Sequence, residues 1–285
     1  MRPLASAEVA DAAVRYIAGR QCRDGGFCFY RTAELEEPNL ADTWFALGGL
    51  RWLGAPVPRA DAVVRWLDGF DAQALHDEVL HHWVRSLQWL QPGWRPDAGT
   101  LARIAGLALP VPEDGLGLSR TLGVLLWRVS LQAAFGLTRP QPALVQALLD
   151  RRREGAWGEP VANLQDTAAA LRVLALLGVR EVHAPTRQFV DARQSAALGF
   201  DNTATARYSR VDILCAGVDA CALLEVPLQH AHKVREITLG AQRGDGAFAD
   251  VPGALPDLQS HQSALRLLAA LAQADARGVP AWLAP

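Results

Sequence analysis

Apolar residues along this chain recur three and four positions apart far more often than they alternate. Leu47, Leu50 and Leu53 form one such run, and Leu122 to Leu131 and Ala170 to Leu177 are denser ones. That spacing predicts helices and almost no strand. Asn39 and Asn163 stand just before two of these runs, where a side-chain oxygen accepts from the free N–H groups of a helix start. The runs stop at glycine and proline: Gly54 then Pro56, Gly136 then Pro140, Gly178 then Pro185. A shorter, more charged helix follows, for example Ala60 to Leu67 or Thr186 to Ala192. The first helix of each pair is expected to be buried on most sides and the second to lie outside it.

A turn punctuates these pairs. It reads Gln21-Cys-Arg-Asp24-Gly25-Gly26-Phe27, then Glu154-Gly155-Ala156-Trp157, then Gln242-Arg-Gly-Asp245-Gly246-Ala247-Phe248. Weaker copies are Asp68-Gly69-Phe70, Asp114-Gly115-Leu116 and Leu198-Gly199-Phe200. The closing apolar residues fall at 27, 70, 116, 157, 200 and 248, with gaps of 43, 46, 41, 43 and 48. A near-constant period of this length marks a helical-hairpin repeat. Glycine permits positive φ at the bend, and the aromatic plugs the turn back onto the helices. A second phrase follows the turn: Asn39-Leu-Ala-Asp42-Thr43, Asn163-Leu-Gln-Asp166-Thr167 and, more loosely, Asp257-Leu-Gln-Ser260-His261. About six such pairs can close into a ring of inner and outer helices.

The chain has 285 residues, half of them apolar, which is ample for one large core and excludes a disordered chain. Net charge is −2, so nothing in the overall field favours nucleic acid. Of the 28 basic residues only Lys233 is lysine, and arginine suits anion sites well. No apolar run of about 18 residues suggests a transmembrane helix. Glu8 and Asp11 interrupt the start where a signal peptide needs an apolar stretch, so a cytoplasmic protein is expected. Four cysteines, Cys22, Cys28, Cys215 and Cys221, are too few for a disulfide framework in a chain this long.

The phrase Q-x-x-D-G-G-F, then about a dozen residues, then D-T-x-x-A-L, resembles the repeat shared by protein prenyltransferase β subunits and squalene or triterpene cyclases. The resemblance spans roughly residues 15–275. It implies a single all-α domain over 1–285, an α/α toroid whose cavity holds an isoprenoid chain, and an α-helical partner subunit. The inner helices of such a ring run parallel, so their N-termini, each about half a positive charge, meet at one mouth. A cationic mouth over an apolar cavity suits a prenyl diphosphate. Trp44, Phe45, Trp83 and Trp127 are the candidates to line that cavity.

The same resemblance picks out Arg207-Tyr208-Ser209-Arg210-Val211-Asp212-Ile213-Leu214-Cys215. In the protein prenyltransferases a corresponding segment carries two basic residues for the diphosphate, then an Asp and a Cys that bind zinc, with a His on a later helix completing the site. The implied set is therefore Arg207, Arg210 and Tyr208 for substrate, and Asp212, Cys215 and His261 for zinc. Zinc would leave an open position to hold an acceptor thiol as thiolate. The arginines would neutralise the leaving diphosphate. Asp212 stands one residue earlier than the family's D-x-C, and His261 one residue later than its histidine; each slip turns a side chain by about 100° on a helix. A second D-x-C, Asp219-Ala-Cys221, lies deeper in the same helix.

Asp42 and Asp166 read first as repeat residues that cap helices, yet either, like Asp212, is a candidate acid for a small terpene cyclase, the alternative enzymatic reading. The chain lacks the cyclase D-x-D-D and the Mg²⁺-gathering D-D-x-x-D, which favours transfer over cyclisation. A non-catalytic toroid binding a lipid, a peptide or a protein is the third reading. The acidic loop Glu34-Leu-Glu36-Glu37 reads as solvated. His81 and His82 are expected on different sides of one helix, and His230 and His232 on the surface.

Overall fold

A computed structural model of the chain describes residues 6–29, 35–112, 117–180 and 183–274. The turn copy at Asp114-Gly115-Leu116 and Glu34 of the acidic loop lie outside the described residues. Twelve α-helices are described: α1 (Ala7–Ala18), α2 (Leu40–Leu53), α3 (Ala60–Leu67), α4 (Asp77–Leu90), α5 (Ala98–Ala105), α6 (Leu118–Ala134), α7 (Pro142–Asp150), α8 (Leu164–Leu176), α9 (Ala184–Ala192), α10 (Val211–Leu224), α11 (Ala231–Gly240) and α12 (Leu258–Ala274). The one described sheet is a two-residue ribbon pairing Gln194 with Phe200. No described helix is long and apolar enough to cross a membrane.

The expected alternation of buried and outer helices is present. Ten residues of α10 and eight of α8 are buried, whereas α3 buries only Val63 and Leu67 and α7 only Leu144 and Leu148, one stripe at i, i+4. Asn39 and Asn163 cap α2 and α8, accepting from the amides of Asp42 and Asp166 at 2.8 Å. Gly54 closes α2 at φ +64°.

The chain forms two compact units. One draws on the described residues of Met1–Ala102 and Thr238–Ala276, the other on those of Arg103–Ile237. In the first unit, α2 packs between α12 and α4; in the second, α8 packs between α6 and α10. The pairs α2–α4 and α8–α10 run parallel, and α6 and α8 start side by side. In the second unit Ser119 of α6 donates to Asp166 of α8 at 2.8 Å, and Gln165 of α8 to Asp212 of α10 at 3.0 Å. Seven residues further along both α8 and α10, Arg172 faces Asp219 at 3.9 Å. In the first unit Trp44 meets His82, and Gly48, further along α2, meets Trp89, further along α4.

The turns are seated by buried aromatic side chains. Phe27, Trp157, Phe200 and Phe248 are all but completely buried. At Gly25 φ is +117° and a Cβ would come 2.3 Å from the Ala62 carbonyl of α3; at Gly246 φ is +89° and a Cβ would come 2.3 Å from the Ala12 carbonyl of α1. Only glycine fits where such a φ coincides with a neighbouring backbone this close. In three of the turns an opening glutamine ties the turn to a neighbouring segment: the side-chain amides of Gln21, Gln194 and Gln242 donate to the carbonyls of Pro58, Pro227 and Val9.

Candidate functional site

The repeat phrase fastens each turn to the helix that follows it. The amide of Phe27 donates to Thr43 Oγ1 at 3.0 Å, and that of Trp157 to Thr167 Oγ1 at 3.1 Å. In the last repeat the amide of Phe248 donates to His261 Nδ1 at 3.0 Å. His261 therefore occupies the repeat's threonine place. Its ring is 1% exposed, lies 4.9 Å from the Tyr16 ring, and has the Ala13 carbonyl beside it. Burial pushes its pKa down to about 3, so it is neutral at physiological pH.

Asp42 and Asp166 occupy the neighbouring repeat position and are engaged in kind. The Asp42 carboxylate accepts from the Asn39 side chain at 2.6 Å and the Phe29 amide at 2.8 Å. Burial raises its pKa above the usual carboxylate range. The Asp166 carboxylate accepts from the Asn163 side chain and from Ser119, both at 2.8 Å. Both residues sit at the N-terminal ends of inner helices, where the cyclase reading needs an acid, and both hold backbone or cap groups there.

At the start of α10, Arg207, Tyr208 and Arg210 are exposed, Tyr208 at 65%. Arg210 pairs with Asp212 at 2.9 Å, with both side chains substantially open to solvent. Asp212 thus carries Arg210 and Gln165, while Cys215 lies buried one turn further along. The second D-x-C splits, as residues two apart on a helix must: Asp219 faces Arg172 of α8, and Cys221 feels Asp191 of α9, with burial pushing its thiol up to about 12.

The zinc set named from the resemblance does not fit this arrangement. Among the described residues no three His, Cys, Asp or Glu side chains gather where a metal ion could be held. His261, turned into the threonine place by its one-residue slip, gives its Nδ1 lone pair to the Phe248 amide rather than to a metal. Elemental analysis of the purified chain should find well under one zinc per molecule; stoichiometric zinc lost on His261→Thr would overturn this.

The aromatic candidates separate. Trp44 and Phe45 of α2 are half-buried and touch at 4.8 Å, and Trp127 is half-buried on α6. Trp83 turns the other way. Its indole N–H donates to the Leu67 carbonyl of α3 at 2.9 Å and its ring meets Trp94 edge-on, so it anchors an outer helix instead of lining an inner face. His81 and His82 are corrected in the opposite sense. Both are buried against Trp44, His81 edge-on at 5.3 Å and His82 stacked at 4.7 Å, because one indole is wide enough to meet two consecutive positions. Burial lowers the pKa of His82 to about 4. His230 is half-buried and His232 exposed at the start of α11.

No family model and no curated protein matches the sequence. Solved structures do. A chain of the Candida albicans protein geranylgeranyltransferase-I complexed with GGPP covers 91% of this chain over 90% of its own length, with 14% identity and a TM-score of 0.64. The likeness shows the fold class that the repeat implied, all-α and of the α/α-toroid type. At this identity the shared property is the fold, and activity rests on the site.

Proposed function

We propose that this protein binds a prenyl diphosphate at the N-terminal ends of α6, α8 and α10 and transfers its isoprenoid to an acceptor. The observation that carries the reading is the side-by-side arrangement of those three helix starts, tied by Ser119–Asp166 and Gln165–Asp212, beneath the exposed Arg207 and Arg210. Parallel helix ends add their partial positive charges and unpaired N–H groups to two guanidiniums. Trp127 on α6 offers apolar surface to the tail in the same unit. The solved structure sharing the fold holds GGPP, which supports the substrate class. On transfer, the allylic C–O bond breaks and its electron pair leaves on the diphosphate oxygen, whose charge the arginines stabilise, while an acceptor lone pair forms the new bond to carbon and the acceptor's proton passes to solvent. A helical partner subunit belongs to the same reading.

Titrating intrinsic tryptophan fluorescence with geranylgeranyl and farnesyl diphosphate tests it. Saturable binding is expected, and Arg207→Gln with Arg210→Gln should weaken it at least about tenfold, since charge-assisted hydrogen bonds contribute about 1.5–3 kcal/mol each. Asp212→Asn should tighten binding about two- to fivefold, by releasing Arg210 from a solvent-exposed ion pair of about 0.2–1 kcal/mol. Absence of binding by both compounds removes the proposal, and loss of binding on Asp212→Asn assigns that carboxylate a different task.

A further inference from the structure

Along the seam between α2 and α4 four flat side chains lie in series. His82 stacks on Trp44 at 4.7 Å and 21°, Trp44 on Trp89 at 5.8 Å and 16°, and the Arg51 guanidinium lies 5.4 Å over the Trp89 ring. His82 and Trp89 are seven residues apart on α4, so the Trp44 indole fits the rise of about 10 Å between them. Gly48 makes room, since a Cβ there would come 2.7 Å from the Gln262 amide and 3.1 Å from Trp89. The series ends in charge. Arg85, one turn before Trp89, is half-buried, and its one hydrogen bond among the described residues is to Gln88 Oε1 at 3.0 Å. Burial first, and then the like charge of Arg51, hold its pKa below the usual arginine value, and no carboxylate among the described residues pairs with it.

We infer that Arg85 and Arg51 form an anion-binding subsite in the first unit, taking a carboxylate or phosphate group against the edge of the Trp89–Trp44 stack. A guanidinium that is partly desolvated, repelled by a second cation and without an acidic partner is destabilised until an anion arrives. Two forks then supply the planar donors that carboxylates and phosphates accept. Arg51 is exposed and lies in the last turn of α2, where the helix dipole alone accounts for it. Arg85 lies before the last turn of α4 and has no such account. The basic surface beside α3 makes the contrast. Arg23, Arg59 and Arg65 line a cavity of about 440 Å³ there with Asp61, but Arg59 is already committed to Gln21 Oε1 and the carbonyls of Arg23 and Cys22. The Arg85 subsite is separate from the α10 arginines and stands or falls without the prenyl-diphosphate reading.

Calorimetric titration of the full chain with inorganic phosphate, pyrophosphate and acetate tests the subsite, the three arms separating phosphate from carboxylate preference. At least one anion should bind saturably at this site. Arg85→Gln should weaken it tenfold or more, and the milder, exposed Arg51→Gln several-fold, while the Arg207→Gln/Arg210→Gln chain retains it. Without ligand, Arg85→Gln should melt no lower than the parent, because a strained cation has been removed. No saturable binding by any of the three anions overturns the inference. So does binding lost with Arg207 and Arg210 but kept in Arg85→Gln, or a lowered melting point with anion binding unchanged.

Discussion

Gly246→Ala is expected to cost about 3–5 kcal/mol, the sum of a strained backbone and an overpacked contact. A methyl there would come 2.3 Å from the Ala12 carbonyl and 2.9 Å from the Ala12 Cβ, at a φ of +89° that L residues rarely adopt. Neither neighbour can move freely, since α1 is held by its own buried residues Ala13, Tyr16 and Ile17. The control is Gly54→Ala, at the end of α2: its φ is +64° but nothing lies within 4 Å, so it should cost only about 1–2 kcal/mol. Urea denaturation of the two variants checks both values. Equal effects would mean that the turn is not seated on α1.

The second large effect concerns His261. In the unfolded chain an imidazole takes its proton near pH 6.5, whereas the folded one resists until about pH 3 because it is buried. Between those values the unfolded state binds the extra proton, so stability is full above about pH 6.5 and declines as pH falls towards 3. His82, pushed down to about 4 by burial, adds a loss of the same sign. Each unit of pH across that window removes up to about 1.4 kcal/mol per histidine, so about 2 kcal/mol per histidine is gone by pH 5. His261→Thr installs the side chain that Thr43 and Thr167 provide in other repeats. It should keep the bond to the Phe248 amide and lose the His261 share of the acid sensitivity. His261→Ala should lose the bond and leave a cavity beside Tyr16 and Phe248, at about 2–4 kcal/mol. Chemical denaturation of the three proteins at pH 7 and pH 5 separates these effects. An unchanged acid slope in the threonine variant would show that another group sets it.

Much of the fold was legible because helices announce themselves locally. The Ala60–Leu67 helix, the Asn39 and Asn163 caps and the Gly54 stop all follow from neighbours in the chain. The loose phrase Asp257…Ser260-His261 aligned with Asn39…Asp42-Thr43, and that alignment already placed His261 in a structural position. Read through the resemblance instead, the same residue became a zinc ligand. The difference is decided by where one ring nitrogen points, which no spacing in sequence reveals. The place of Trp83 is hidden for a similar reason: a helix buried on most sides gives no sign in its sequence of which indole meets a neighbouring outer helix. Arg85 is not marked by the sequence because an arginine in an amphipathic pattern looks solvated, and what singles it out is the lack of an acidic partner among the described residues. One spacing in the sequence does mark the fifth turn as a fuller copy: Gln194 stands six residues before Phe200, as Gln21 does before Phe27 and Gln242 before Phe248.

The seating of the last turn on α1 sets an order of assembly. Gln242 reaches the Val9 carbonyl across 233 positions of chain, whereas Gln21 reaches Pro58 across 37. A contact of such separation bears the largest loop-closure entropy and forms late. During synthesis α1 emerges before the other described helices, yet it must wait until the chain has been made as far as Phe248 before the glycine turn that covers it exists. Its apolar face, Ala13, Tyr16 and Ile17, is therefore the surface that a chaperone or a premature neighbour meets while the remaining repeats are being made.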